Sequence, residues 1–285
     1  MTWRRRGAAA MGALLLAIGT LATPAQAQDR FVMVPTEQGE TRVEVWDALG
    51  DDVRGVILFG SGWGGSPSNY DLLLSSFAGA GYSVFAPVTL DSAQHPGNDG
   101  VDANSMAGAQ AIIGDRMVAT MALRNWLEEN HGSKPVVLAG HSFGSYVAFT
   151  QAEGKWAFGP LPGPDVDAIL AFSSPGQVPQ LVSETSYTTI DVPMMVVTGT
   201  EDVGGATFPN WELHRMAFDR SQPGDKYLVV FEGGPHSLPR LEEDEWVWRV
   251  QSISLTFLDA YVANIADART LLETLKEPRV RIERR

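Results

Sequence analysis

The chain has 285 residues, no cysteine and a net charge of −13, with 34 acidic side chains against 21 basic ones. The missing cysteine excludes disulfides, thiolate nucleophiles and cysteine-held zinc. The negative balance repels phosphate backbones and anionic lipid surfaces, so nucleic acid is not expected as a partner.

The first segment places Arg4, Arg5 and Arg6 ahead of an apolar run from Gly7 to Ala22, followed by Ala25-Gln26-Ala27. A positive start, an apolar middle and an A-x-A site make a secretory signal peptide. The run of about 16 residues falls short of the roughly 20 that span a bilayer, which weighs against an uncleaved anchor. Sec and twin-arginine export are not separated by this pattern. Removing residues 1–27, with three arginines and no acid, takes the net charge from −13 to −16. Residues 28–285 then form a single domain, expected in the periplasm or outside the cell, with no membrane span in the mature form.

Strands and helices follow in alternation. Arg30–Val34 and Arg42–Asp47 read as a hairpin around Glu37-Gln38-Gly39-Glu40. Val56–Phe59 is a short apolar strand, and a helix from about Ser68 to Ala80 leads to the strand Ser83–Pro87. Met106, Ala109, Ile113, Met117, Met121, Leu123 and Leu127 recur near helical spacing and predict a long helix from Ser105 to Asn130. Pro135–Ala139 is a buried strand, Phe143–Gln151 a helix, Ala168–Phe172 and Met194–Val197 strands. Trp211–Phe218 is helical, Tyr227–Phe231 a strand, and Glu243–Ile265 a helix with Trp246, Val250, Ile253, Phe257 and Tyr261 on one face. The basic tail from about Glu277 reads as a solvated end with room for one short strand. Continuous β-branched runs alternating with helices mean an α/β fold, its mostly parallel sheet covered on both sides and opened by an antiparallel hairpin.

The PVVLA strand ends in Gly140-His141-Ser142-Phe143-Gly144. G-x-S-x-G between a strand and a helix is the setting of a nucleophile elbow. The sharp turn strains the serine and leaves no space for side chains two residues either side. It lifts the hydroxyl above the sheet at a helix N-terminus, where negative charge is favoured. A serine hydroxyl needs a base, and the base needs an orienting acid; with such an elbow the chain order is serine, acid, histidine. His236, in Glu232-Gly233-Gly234-Pro235-His236, follows the last strand of the alternating pattern and so stands at the same sheet edge as Ser142. Asp202 follows the Met194–Val197 strand, with Glu201 as its competitor; Asp191 lies at the wrong edge. His214, inside the helical pattern WELHRMAF, reads as a surface helix residue, and His141 as packing that points away from the elbow tip.

The strand order with GHSFG, GTED and GGPHS resembles the α/β-hydrolase family from roughly Val56 to Ile265. GHSFG is similar to platelet-activating-factor acetylhydrolases. The short stretch 173–193 between two strands leaves no space for a large cap, a feature similar to dienelactone hydrolases and cutinase-like polyester hydrolases. The resemblance implies an oxyanion hole built from the N–H after the nucleophile, Phe143, and one from the segment after the Val56–Phe59 strand. The second donor is taken as Trp63, although Ser61-Gly62 replaces the family's usual His-Gly.

That segment, Gly60-Ser61-Gly62-Trp63-Gly64-Gly65, also satisfies the dinucleotide fingerprint G-x-G-x-x-G. Two strands precede its own, Asp91 lies farther on than the fingerprint places its acid, and an exported protein meets little NAD. No organic cofactor or metal is therefore expected. His95 and Phe208, on loops after strands, are candidate substrate contacts.

The resulting expectation is an exported serine hydrolase of small-molecule or lipid-like carboxylic esters using Ser142, Asp202 and His236. A binding protein on the same fold and an amide or peptide hydrolase with the same triad remain open; oligomeric state is not addressed by the sequence. N-terminal sequencing of the protein recovered from the periplasm is expected to begin at Gln28; a full-length chain in the membrane fraction would mean an anchor.

Overall fold

The computed structural model describes residues 30–152, 154–156, 165–178, 180–204, 209–240 and 246–285. Residues 1–27, expected to be a signal peptide, and Phe208 lie outside the described residues.

Nine strands form one sheet in the order β1-β2-β4-β3-β5-β6-β7-β8-β9. The N-terminal hairpin pairs β1 (Phe31–Thr36) with β2 (Gly39–Trp46) across a two-residue turn. β2 adds antiparallel to β4 (Tyr82–Pro87). From there the sheet is parallel: β4, β3 (Gly55–Gly60), β5 (Val136–His141), β6 (Ala168–Phe172), β7 (Met194–Glu201) and β8 (Lys226–Pro235). Every residue of β4, β5 and β6 is buried, as expected for parallel strands covered on both faces.

The strand period of two sorts these side chains into two cores. Ile57, Phe59, Val137, Ala139, Leu170 and Val197 pack against α1 (Asp71–Gly79) and α5 (Val247–Tyr261). Val56, Leu58 and Leu138 meet α2 (Met106–His131), while Ile169, Ala171, Val196 and Leu228 face α3 (Phe143–Thr150) and α4 (Met216–Arg220). α2 begins where its cap places it: the Ser105 hydroxyl accepts the Gly108 N–H at 3.0 Å, satisfying one orphan donor.

Three departures from the expected elements have local causes. β7 and β8 run on past their apolar cores to Glu201 and Pro235, because the two chains keep pairing across a register shift between Gly199 and Glu201. The helix expected over Glu243–Ile265, whose start lies outside the described residues, ends at Tyr261 ahead of a left-handed φ of 55° at Asn264, and a separate helix not expected from the sequence, α6 (Ala266–Thr274), follows. The tail is ordered as β9 (Val280–Arg284), antiparallel to β8; its alternation of charged and apolar residues fits an edge strand. No large cap domain is evident among the described residues. No helix among the described residues is long and apolar enough to cross a membrane. All the chain ends that follow β3, β5, β6, β7 and β8 lie at one edge of the sheet, and the site is built there.

Candidate active site

Ser142 sits between β5 and α3 with φ 53° and ψ −120°. Such a conformation is strained for a residue with a side chain, and neighbouring bonds hold it: the Ser142 N–H donates to the Phe172 carbonyl at 2.8 Å, and the Ser145 N–H to the Ser142 carbonyl at 2.9 Å. The backbone approach leaves no space for a Cβ on Gly144, which would lie 2.0 Å from the Gly60 carbonyl oxygen. The elbow is thus pressed against the end of β3. The Phe143 N–H opens α3, so no intrahelical acceptor exists for it.

The acid arrives by a similar close approach. A Cβ on Gly199 would lie 2.1 Å from the Gly234 oxygen, so β7 and β8 meet only because both residues are glycine. The register shift that follows buries Asp202 and leaves Glu201 exposed. Asp202 Oδ1 accepts the His236 Nδ1–H at 2.6 Å, and Oδ2 accepts the Thr198 hydroxyl at 2.7 Å. With Nδ1 donating, a neutral His236 ring carries its lone pair on Nε2. Burial pushes the Asp202 carboxyl up. Hydrogen bonds from His214 and His236, the charge on His214 and a bond from Ser173 outweigh it and hold the carboxyl well below the usual range.

His236 is brought to the elbow by the residue beside Ser142. His141 Nε2 donates to the His236 carbonyl at 2.8 Å, and the two rings lie 4.7 Å apart. His141 Nδ1 accepts from the Tyr70 hydroxyl at 2.8 Å, whose oxygen accepts the Gly62 N–H at 2.9 Å. Burial, then the field of His236, push His141 down to about 3, so it stays neutral and its tautomer is fixed by its two partners. His141 does point into the interior, but it ties the histidine loop to the loop after β3.

His214 corrects the sequence reading outright. It is fully buried, with Nε2 2.9 Å from Asp202 Oδ1 and 3.1 Å from the Asp202 carbonyl, and Nδ1 2.6 Å from the Ser174 carbonyl. The segment is a one-turn 3₁₀ helix, Trp211–Arg215, followed by α4. The signal was present in the sequence: His214 shares a helical stripe with Trp211 and Phe218, which pack into the same core. Asp202, His214 and His236 lie close enough together to hold a cation. The donor set does not fit one. Each His214 nitrogen faces an oxygen acceptor, so turning a lone pair toward a cation would break one of these hydrogen bonds.

The Gly60–Gly65 loop is gripped by a buried ion pair that no local pattern revealed. Arg116, in the middle of α2, donates through Nε and Nη2 to Asp91 at 3.0 and 2.8 Å. It also donates to the Ser61 carbonyl at 2.7 Å and the Gly62 carbonyl at 2.8 Å. Asp91 accepts the Gly64 N–H at 2.7 Å. Burial pushes Asp91 up, but the charge and hydrogen bonds of Arg116 prevail and hold it below its ordinary value. A carboxylate therefore occupies a loop N–H that the dinucleotide reading would give to a phosphate. Between the gripped residues, Trp63 is 40% exposed and its ring meets Phe143 edge-on at 5.1 Å. A Cβ on Gly62 would lie 3.5 Å from the Ser142 Cβ, so the loop adjoins the elbow. His95 lies elsewhere, in a cleft of about 610 Å³ with Thr36, Gln38, Glu40 and Asp115 between the hairpin and α2.

Comparison with known proteins matches the model of the dienelactone hydrolase family over residues 45–247. Among solved structures, a thermophilic esterase from the planctomycete Thermogutta terrifontis, bound to propionate, superposes with a TM-score of 0.58 at 16% identity, covering 83% of this chain and 96% of its own. Its native form gives 0.58 at 16% identity, covering 85% and 96%. An alpha-beta serine hydrolase homologue from Coxiella burnetii gives 0.53 at 15% identity, covering 87% and 98%. No curated protein matches the chain in sequence.

Arg116→Met leaves Asp91 buried without its cation and is expected to cost about 3–5 kcal/mol, read by urea denaturation at pH 7. The carboxylate's contribution is present above its unfolded value near pH 4 and lost as pH falls through its lowered titration, so the gap between wild type and variant narrows toward pH 3. A loss under about 1 kcal/mol would mean that the pair does not brace the loop.

Proposed function

Because this chain belongs to the dienelactone hydrolase family, we propose that this hydrolase is an exported serine esterase, with Ser142 as nucleophile, His236 as general base and Asp202 as the orienting acid. The observation that carries the reading is the 2.6 Å bond from His236 Nδ1 to a wholly buried Asp202, with His236 tied to the elbow through His141. Export rests on the N-terminal segment. The ester class is supported by the likeness to the Thermogutta esterase.

Ser142 Oγ attacks the ester carbonyl while His236 Nε2 takes its proton, and the negative oxygen is received by the Trp63 and Phe143 N–H groups. The imidazolium is stabilised by Asp202 and then protonates the leaving alcohol. Water, deprotonated by the same nitrogen, attacks the acyl-enzyme and releases the acid. Trp63, half-exposed and edge-on to Phe143, stands where the acyl or alcohol group would enter.

Ser142→Ala is expected to lower kcat on p-nitrophenyl esters by about 10⁶, and Asp202→Asn by about 10⁴ through the wrong His236 tautomer. Glu201→Gln should change kcat little. A folded Ser142→Ala variant keeping a tenth of the activity would refute the assignment, and a larger loss in Glu201→Gln than in Asp202→Asn would move the acid by one residue. Matched esters and anilides in the same assay separate esterase from amidase.

A further inference from the structure

We propose that His214 is a buried imidazolium that shares the Asp202 carboxylate with His236 and acts as a positioning residue, extending toward acid the pH range in which His236 serves as base. The inference rests on the triad reading above and concerns a residue that the triad does not use.

The geometry fixes the protonation. The Ser174 carbonyl, 2.6 Å from Nδ1, can only accept. The two oxygens facing Nε2, the Asp202 carboxylate at 2.9 Å and carbonyl at 3.1 Å, also accept. A neutral ring has one N–H, so one nitrogen would aim its lone pair at an oxygen lone pair in a site with no water access. The doubly protonated ring satisfies both contacts and pairs its charge with Asp202. The titration balance agrees: burial pushes His214 down, but the hydrogen bond and charge of Asp202, then the two carbonyls, carry it above the ordinary value.

The groups around the pair make the consequence specific. Asp202 comes from the end of β7 and Ser174 from the end of β6. On the His236 side, His141 at the end of β5 is neutral. Arg240, in the 3₁₀ turn Leu238–Arg240, is a constant cation whose field reaches His141 and Tyr70. Glu201 is exposed. The His214 and His236 rings are 5.9 Å apart. One carboxylate thus faces two imidazoles, one of them already charged, and protonating the second sets two positive charges at that separation. At that distance the repulsion opposes adding the second charge. The cost falls on the protonated, inactive state of the resting enzyme, so the base form persists to lower pH.

The test has two arms. In the wild type, nitrogen-15 NMR of the histidine rings, with His214 assigned through the His214→Gln spectrum, should find both His214 ring nitrogens bearing protons at pH 7.5, a unit above the ordinary histidine midpoint of about 6.5. In kinetics, His214→Gln keeps an N–H donor for Asp202 but removes the charge. Its acid limb of kcat/KM on a p-nitrophenyl ester should move to higher pH by about 0.5–2 units, with the alkaline plateau within about tenfold of wild type. A merely structural role would lower the plateau and leave the midpoint in place. A single N–H on His214 at pH 7.5, or an unmoved acid limb in folded His214→Gln, overturns the proposal. The NMR arm needs neither variant activity nor substrate: a doubly protonated ring in a protein that cleaves no ester supports the ion pair and counts against the esterase reading alone.

Discussion

A carboxylate without solvent contact has to be satisfied by the protein around it, and Asp202 is that group. An unpaired buried charge costs several kcal/mol, so the elements that reach Asp202 are constrained together. Thr198 from β7 takes one oxygen. His236 from the end of β8 and His214 from the turn before α4 take the other. β7 and β8 can bring their ends to the same point because Gly199 and Gly234 pass in backbone contact. The parallel sheet supplies the rest: its strand ends lie side by side, so the serine after β5 and the histidine after β8 share one edge.

A second buried ion pair mirrors the first across the elbow. Arg116 and Asp91 are both about 2% exposed; their other hydrogen bonds go to the backbone of Ser61, Gly62 and Gly64 and, for Asp91, to the Thr89 hydroxyl. Bidentate pairing of this kind fixes direction as well as distance. The hydrogen-bond chain from Gly62 through Tyr70 and His141 to the His236 carbonyl joins the two halves. The loop that would receive the oxyanion and the histidine that would move the proton are therefore held with respect to each other by groups that take no part in the chemistry. That arrangement suits electrostatic catalysis, which depends on dipoles that need not reorganise.

Much of this was legible in the sequence where the signal is local. Strands with continuous apolar runs, the long helix from Ser105 and the G-x-S-x-G turn follow from neighbouring residues, and the expected chain order of serine, acid and histidine follows from the elbow. Of the two candidate acids, Asp202 is the one that turns inward after the β7–β8 register shift, while Glu201 stays exposed. What escaped was long-range. Arg116 lies 55 positions from Ser61, and within its own helix it looks like any charged residue. Asp91 was weighed only as a ribose ligand and instead holds a loop N–H. His214 was misread because a polar residue in a helix was assumed to face water, although Trp211 and Phe218 already marked its stripe as buried. The short strand allowed for in the tail is β9, while the turn at Asn264 and the helix beyond it depend on a backbone conformation that composition does not announce.

The central claim is that Ser142, strained at the elbow, is a live nucleophile activated through His236. The most direct measurement is reaction of the purified protein with a fluorophosphonate, followed by peptide mass spectrometry. The account predicts one adduct per chain, on Ser142, forming orders of magnitude more slowly in Asp202→Asn. An unlabelled protein, or a label carried on any other serine, would contradict it.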